Sequence, residues 1–239
     1  MISLKETINN CTTKEKSNWE KTDIYAHFIG RRISYIPTWI FLNLNFSANF
    51  ISFIGIIFAL TSFGFLCFGS TFLLKLIGWL FLYFWSLFDY IDGNIARFRK
   101  TSSHYGELWD AAGGYIAMFV LFFAPGIIAV GENSLVKLDF FSPVFYSILS
   151  GFCIACCFIP RALMHKKNCF ENETTKKIRS KTTNNLFGII FYNITSLTGL
   201  PLFLLLISII FNLCNIFVLF YSSLNILVGI ISMIKLLKK

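Results

Sequence analysis

The stretch FDYIDGNIARFRKTSSHYGELWDAAGGY, residues 88 to 115, puts four acids into a strongly apolar neighbourhood: Asp89, Asp92, Glu107 and Asp110. Asp89 and Asp92 are three apart, so on a helix they share a face, and Gly93 and Ala96 continue that face. Gly106, Asp110 and Gly113-Gly114 make a matching stripe further on, with Glu107 one turn before Asp110. The link from 97 to 105 is short and polar, which predicts an antiparallel helix pair with both stripes at one depth. An Asp at the centre of a membrane-spanning helix costs about 2.5–3.5 kcal/mol, so such acids need partners. Arg97 can pair with one of them and cannot neutralise three. A hard divalent cation can, because Mg²⁺ takes carboxylate oxygens and is completed by water and substrate phosphates. Asp89, Asp92 and Asp110 are the candidate ligands for Mg²⁺ or Mn²⁺. A structural Asp–Arg network is the competing explanation.

The elements that must hold these residues follow from the composition. Of 239 residues, 56% are hydrophobic and 29 are Phe, above the roughly 45–50% apolar share of soluble domains. This predicts an all-α integral membrane protein. Six stretches are long and apolar enough to span: about 50–69, 72–95, 107–130, 143–163, 186–211 and 215–234. The fifth holds Asn193, Thr195, Ser196, Thr198, Gly199 and Pro201, which predicts a kink or a separate lead-in helix. Residues 19–46 are apolar and basic together, divided by Pro37. They are expected to lie as an amphipathic helix on the membrane surface. Two regions result: an N-terminal segment, 1–46, and a six-helix domain, 47–239.

All Lys and Arg except Lys75 and Lys137 fall on one side of this arrangement. By the positive-inside rule that side is cytoplasmic, with both termini and the acidic segment. The net charge of +9 then sits mostly at one membrane face, where it suits anionic lipid or a phosphorylated substrate rather than nucleic acid. The polar, mixed-charge first 26 residues do not form a cleavable signal peptide. Cys153 and Cys156 have the CxxC spacing, but they lie in an apolar run without a nearby His or second pair, so they are expected as packing residues.

These residues resemble the signature of the CDP-alcohol phosphotransferases, also called CDP-alcohol phosphatidyltransferases: D-x2-D-G-x2-A-R-x8-G-x3-D-x3-D. Asp89, Asp92, Gly93, Ala96, Arg97, Gly106 and Asp110 fall in register, and the resemblance extends over the chain after about residue 20. The resemblance implies transfer of a phospho-alcohol or phosphatidyl group from a CDP-linked donor to a hydroxyl acceptor, releasing CMP. It implies Mg²⁺ or Mn²⁺ at Asp89, Asp92 and Asp110, and cytidine diphosphate held by Asp89, Gly93, Ala96, Arg97 and Gly106. The acceptor would be a lipid or lipid-linked hydroxyl in a bacterial or archaeal cell membrane, and homodimers are common in the family.

The departure is Gly114, which stands where the signature ends in Asp, the family's proposed general base. Asp110 and Glu107 are the favoured substitutes; His104 and an acid or phosphate on the acceptor itself remain alternatives. Asn49 and Ser52 are read either as diphosphate ligands or as helix caps. Arg161 is read either as a ligand for an acceptor phosphate or as a snorkelling side chain. Two rival functions stay open: a non-catalytic nucleotide- or lipid-binding paralogue, suggested by Gly114, and a membrane prenyltransferase. The second would need another Asp-rich motif, which the chain lacks.

Overall fold

The computed structural model describes residues 2–12, 22–101, 103–131, 134–136, 138, 140–170 and 186–238. Every regular element among them is helical. In chain order these are α1 (Leu4–Cys11), a π-helical turn (Ala26–Gly30) running into α2 (Arg31–Asn43), α3 (Ala48–Phe68), α4 (Phe72–Arg99) and α5 (His104–Gly131). They continue with α6 (Pro143–Phe170), α7 (Leu186–Thr195), α8 (Leu200–Ile210) and α9 (Cys214–Leu237). The protein is an all-α multi-pass membrane protein: five helices are long and apolar enough to cross, and α7 with α8 makes a sixth if counted as one bent span.

The break in 186–211 is where the sequence placed a kink or a lead-in helix. Helices 188–195 and 200–210 meet at 55°. Gly199 and Pro201 lie at the break; proline offers no N–H to carry the ladder across it. Pro37 behaves in the opposite way. It was expected to divide its segment, yet it lies inside α2. The buried face of α2, Arg31, Ser34, Thr38 and Leu42, is packed and hydrogen-bonded, which offsets the lost bond at Pro37.

The chain forms two units. The first comprises Met1–Val120 and Thr182–Phe203, the second Leu121–Lys181 and Leu204–Lys239. In the second, α6 and α9 pack together, and Gly229 lets α9 approach the Cys156 carbonyl closer than any Cβ would allow. In the first, α3 and α4 are an antiparallel pair packed along their length. Ser47 caps α3, accepting from the Phe50 N–H at 3.2 Å, and Thr71 caps α4, accepting from Leu74 N–H at 3.3 Å. At Gly78 a Cβ would lie 2.8 Å from Leu66 Cγ, so the glycine sets a close helix approach. One apolar cluster of this unit is formed by Leu42, Ile51, Ile91 and Ile95.

The N-terminal residues are not a loose extension. A capping box, Ser3 with Glu6, starts α1, with Ser3 Oγ accepting from Glu6 N–H at 3.2 Å. The Ile2 carbonyl accepts from Trp39 Nε1 at 2.8 Å, and Ile2 N–H donates to Asn43 Oδ1 at 2.9 Å. Asn193 accepts from Ile24 N–H at 2.9 Å and donates to the Thr22 carbonyl at 2.8 Å, tying α7 to the residues before the π turn.

The turn from α4 to α5 aligns the acidic stripes. Lys100 closes α4 in the left-handed conformation, φ 54°, and Thr101 N–H returns to the Ala96 carbonyl at 3.0 Å. A left-handed residue with a Cβ costs about 1–2 kcal/mol, which glycine avoids. Lys100→Gly is therefore expected to stabilise the protein by about 1 kcal/mol. Thermal unfolding in detergent should show a higher midpoint, and an unchanged or lower one contradicts this account of the turn.

Candidate active site

The polar residues of the acidic segment open onto a cavity of about 310 Å³ within the first unit. From α3 it is lined by Ala48, Asn49 and Ser52, and from α4 by Asp89, Asp92, Gly93, Ala96 and Arg97. The turn and α5 add Thr101, Ser103, Gly106, Glu107 and Asp110. Of the residues singled out in the sequence, Asn49, Ser52, Asp89, Asp92, Gly93, Ala96, Arg97, Gly106, Glu107 and Asp110 line this one cavity, while His104 and Gly114 are not part of its lining. Arg161 belongs to the second unit.

Position along α4 explains the depth of the acids. Helices rise about 1.5 Å per residue, so Asp89 lies roughly 15 Å before Arg99 at the helix end. Asp92 is 7% exposed, the most enclosed of the three aspartates, whereas Asp110 is exposed to the cavity. A buried carboxylate needs hydrogen bonds. Ser52 supplies one, its hydroxyl 2.5 Å from Asp92 Oδ2. The cap of α3 is Ser47 instead, so Ser52 is no helix cap. Asp110 repels and Arg97 attracts the Asp92 charge, which puts all three within electrostatic reach.

Behind the cavity, Asp89, Asp92 and Asp110 also line a recess of about 10 Å³ together with Ser52, Gly55, Trp85, Trp109 and Gly113. That is about the room one water-sized sphere needs. Trp85 is 4% exposed and is slotted between glycines: a Cβ on Gly113 would sit 3.4 Å from its Nε1, and one on Gly55 3.7 Å from its Cδ1. No group of three or more His, Cys, Asp or Glu among the described residues is close enough to hold a metal ion unaided. The donor set nevertheless suits a hard cation: carboxylate oxygens and a hydroxyl around a small recess that opens into a larger cavity. Mg²⁺ sites of this kind are usually left for water and phosphate to complete.

The glycines of the segment have steric reasons. A Cβ on Gly93 would lie 3.1 Å from Arg97 Nη1, so glycine leaves the guanidinium lying across this point of α4. A Cβ on Gly106 would lie 3.4 Å from both Asn49 Oδ1 and Ser103 Oγ, and Gly106 N–H donates to Ser103 Oγ at 3.1 Å. A Cβ on Gly114 meets nothing within 4 Å. Glu107 is at the rim, its side chain 72% exposed, with His104 Nδ1 3.5 Å away.

Sequence reasoning passed over Asn94, whose carboxamide is the hub of the buried hydrogen bonds beside the cavity. Arg97 Nη2 donates to its Oδ1 at 2.7 Å, and Arg31 Nη1 donates to the same oxygen. Its Nδ2 donates to Ser34 Oγ and Thr38 Oγ1, both at 3.1 Å. The available signal was a polar amide one position after Gly93, inside an apolar helix and three residues before Arg97.

Residues 45–234 match the family described as CDP-alcohol phosphatidyltransferase. The chain belongs to that family. The matched region contains every residue of the cavity wall. No curated protein matches the chain. Members of the family transfer substituted phosphate groups from a CDP-alcohol to an alcohol acceptor in lipid biosynthesis and are generally dependent on divalent metal.

Gly93→Ala tests the account of the Arg97 guanidinium. Arg97 Nε is tied to the Cys11 carbonyl at 3.0 Å, so it cannot retreat from a methyl group without losing bonds. Losing one charge-assisted hydrogen bond costs about 1.5–3 kcal/mol. The variant is expected to raise KM for the CDP-linked donor by about tenfold or more while KM for the acceptor stays the same. Equal effects on both substrates would count against this role.

Proposed function

We propose that the protein is a Mg²⁺- or Mn²⁺-dependent transferase that moves a phospho-alcohol or phosphatidyl group from a CDP-linked donor to a hydroxyl acceptor, releasing CMP. The observation that carries the proposal is the single cavity in which the family-matched segment gathers three aspartates, Arg97, and two glycines that clear space at the wall. At about 310 Å³ it is at the small end of the roughly 300–1,000 Å³ typical of ligand sites.

In this reading Asp89, Asp92 and Asp110 hold the cation, with the Ser52 hydroxyl keeping Asp92 oriented. When bound, the cation supplies charge neutralisation on the donor diphosphate. Arg97, with Asn49 and the backbone at Gly93, Ala96 and Gly106, holds the cytidine diphosphate. The acceptor oxygen forms a new bond to the transferred phosphorus as the bond from that phosphorus to the CMP oxygen breaks. The acceptor's proton passes to a carboxylate, and the bond electrons leave with CMP. Little covalent help is needed; positioning and charge stabilisation dominate.

The carboxylate that takes the proton is Glu107 or Asp110. Asp110 lines both the recess and the cavity, whereas Glu107 lines only the cavity and has His104 beside it to pass the proton to solvent. That division favours Asp110 at the cation and Glu107 at the acceptor. The cavity opens to the cytoplasm, the acceptor is a lipid or lipid-linked hydroxyl, and the protein acts as a homodimer. The acidic residues can bind donor without turning it over if nothing replaces the base at Gly114. This is the second reading, a binding paralogue.

CMP release by the purified protein, assayed over a panel of CDP-alcohols and acceptors with Mg²⁺ or Mn²⁺, decides between them. Turnover that is abolished in Asp92→Asn supports the transferase. Metal-dependent CDP binding without turnover on any acceptor supports the paralogue, and release of diphosphate from prenyl diphosphates overturns both.

Two substitutions probe the base. Glu107→Gln should lower kcat by about 10²-fold, with donor affinity retained. Because a side chain on Gly114 has open space, Gly114→Asp should fold and raise kcat by about tenfold or more. A faster Glu107→Gln enzyme, or a Gly114→Asp protein with unchanged kcat, removes this assignment.

A further inference from the structure

We infer that Asn94 and the N-terminal helix α1, which lies outside the family-matched residues 45–234, form a clamp that positions Arg97 for the donor phosphates. The inference rests on the reading of Arg97 as a donor ligand. Its own observations are the bonds that fix the guanidinium. Arg97 Nε donates to the carbonyl of Cys11, the last residue of α1, at 3.0 Å. Nη2 donates to Asn94 Oδ1 at 2.7 Å, and the remaining Nη1 lies beside Gly93 at the cavity wall.

An Arg side chain carries about 2 kcal/mol of rotamer entropy. Fixing it before the phosphate arrives removes that cost from binding. A neutral amide suits the task. It accepts from two guanidiniums, Arg97 and Arg31, without supplying a negative charge that would compete with phosphate. Asn94 is fully buried and held from α2 by Ser34 and Thr38, so its oxygen has one position.

Residue α1 geometry is fixed at both ends. Ile2 is gripped by Trp39 and Asn43 of α2, and the Cys11 thiol, 1% exposed, donates to the Asn94 carbonyl at 3.4 Å. The Cys11 carbonyl on Arg97 links α1 directly to the cavity wall. Loosening α1 at its far end should therefore reach the donor and spare the acceptor.

The test measures CDP binding, with Mn²⁺ present, to the purified full-length protein by calorimetry. It uses two variants that avoid the cavity lining. Trp39→Phe with Asn43→Leu releases the start of α1. Asn94→Asp keeps the side-chain shape and the acceptor for Arg97, loses the two donations to Ser34 and Thr38, and adds a charge that competes with phosphate. Both are expected to bind CDP about tenfold more weakly while Mn²⁺ affinity holds. In a folded Asn94→Asp protein, weakened CDP binding beside unchanged Mn²⁺ affinity is a split that a purely structural Asn94 would not give. Labelling of Cys11 by maleimide, read by mass spectrometry, should be slowed by CDP and faster in the double variant.

Folded variants that bind CDP as tightly as the unaltered protein overturn the clamp. Should the double variant fail to fold, or Cys11 remain shielded in it, Asn94→Asp alone decides. If the unaltered protein shows no CDP binding, the donor-site reading fails first, and this inference falls with it. Turnover with unaffected CDP affinity in the variants removes only the clamp.

Discussion

The carboxylate of Asp92 sits almost out of reach of water near the end of a membrane helix, and much of the first unit can be understood as a response to it. An uncompensated charge there is costly. Compensation comes from the side that faces the cavity. Ser52 on α3 donates to one oxygen, and Arg97 lies one turn along α4 on the same wall. The close packing of α3 on α4, allowed by Gly78 at one end and by Gly55 near the other, keeps Ser52 within reach. A cation and a diphosphate would complete the charge balance that the protein groups begin.

Positive charge is managed with equal care. Arg31 is nearly buried and lies with its guanidinium 5.5 Å from the centre of the Tyr90 ring. Arg31 and Arg97 converge on one amide oxygen, that of Asn94. Cation–π and amide contacts hold guanidinium groups without cancelling their charge. The result is a fixed guanidinium, that of Arg97, on the same cavity wall as Asp89 and Asp92.

Small residues do most of the spatial work. Gly93 leaves the Arg97 guanidinium its place, Gly106 keeps Asn49 and Ser103 in contact range, and Gly113 and Gly55 make the slot for Trp85. Each of these glycines stands where a Cβ would meet a neighbouring side chain within 4 Å. Gly114 departs from this logic by facing open space rather than a crowded neighbour.

The all-α membrane class and the gathering of the acidic residues at one cavity were legible in the sequence, whereas the helix packed along α4 is α3. The first two follow from local quantities: runs of about 20 apolar residues, a short polar link, and three- or four-residue spacing on a helix face. The helix break near Pro201 was signalled as well, though its 55° angle was not. What the tertiary structure alone decided was which polar groups share a partner. Pro37 stays within α2 because distant residues on α4 hold that helix's buried face, and no local rule contains that information. Ser52 serves Asp92, forty positions away, and Cys11 meets Arg97 and Asn94 from across two helices. Such pairings depend on how helices far apart in sequence come to rest against each other, which spacing along one helix cannot encode.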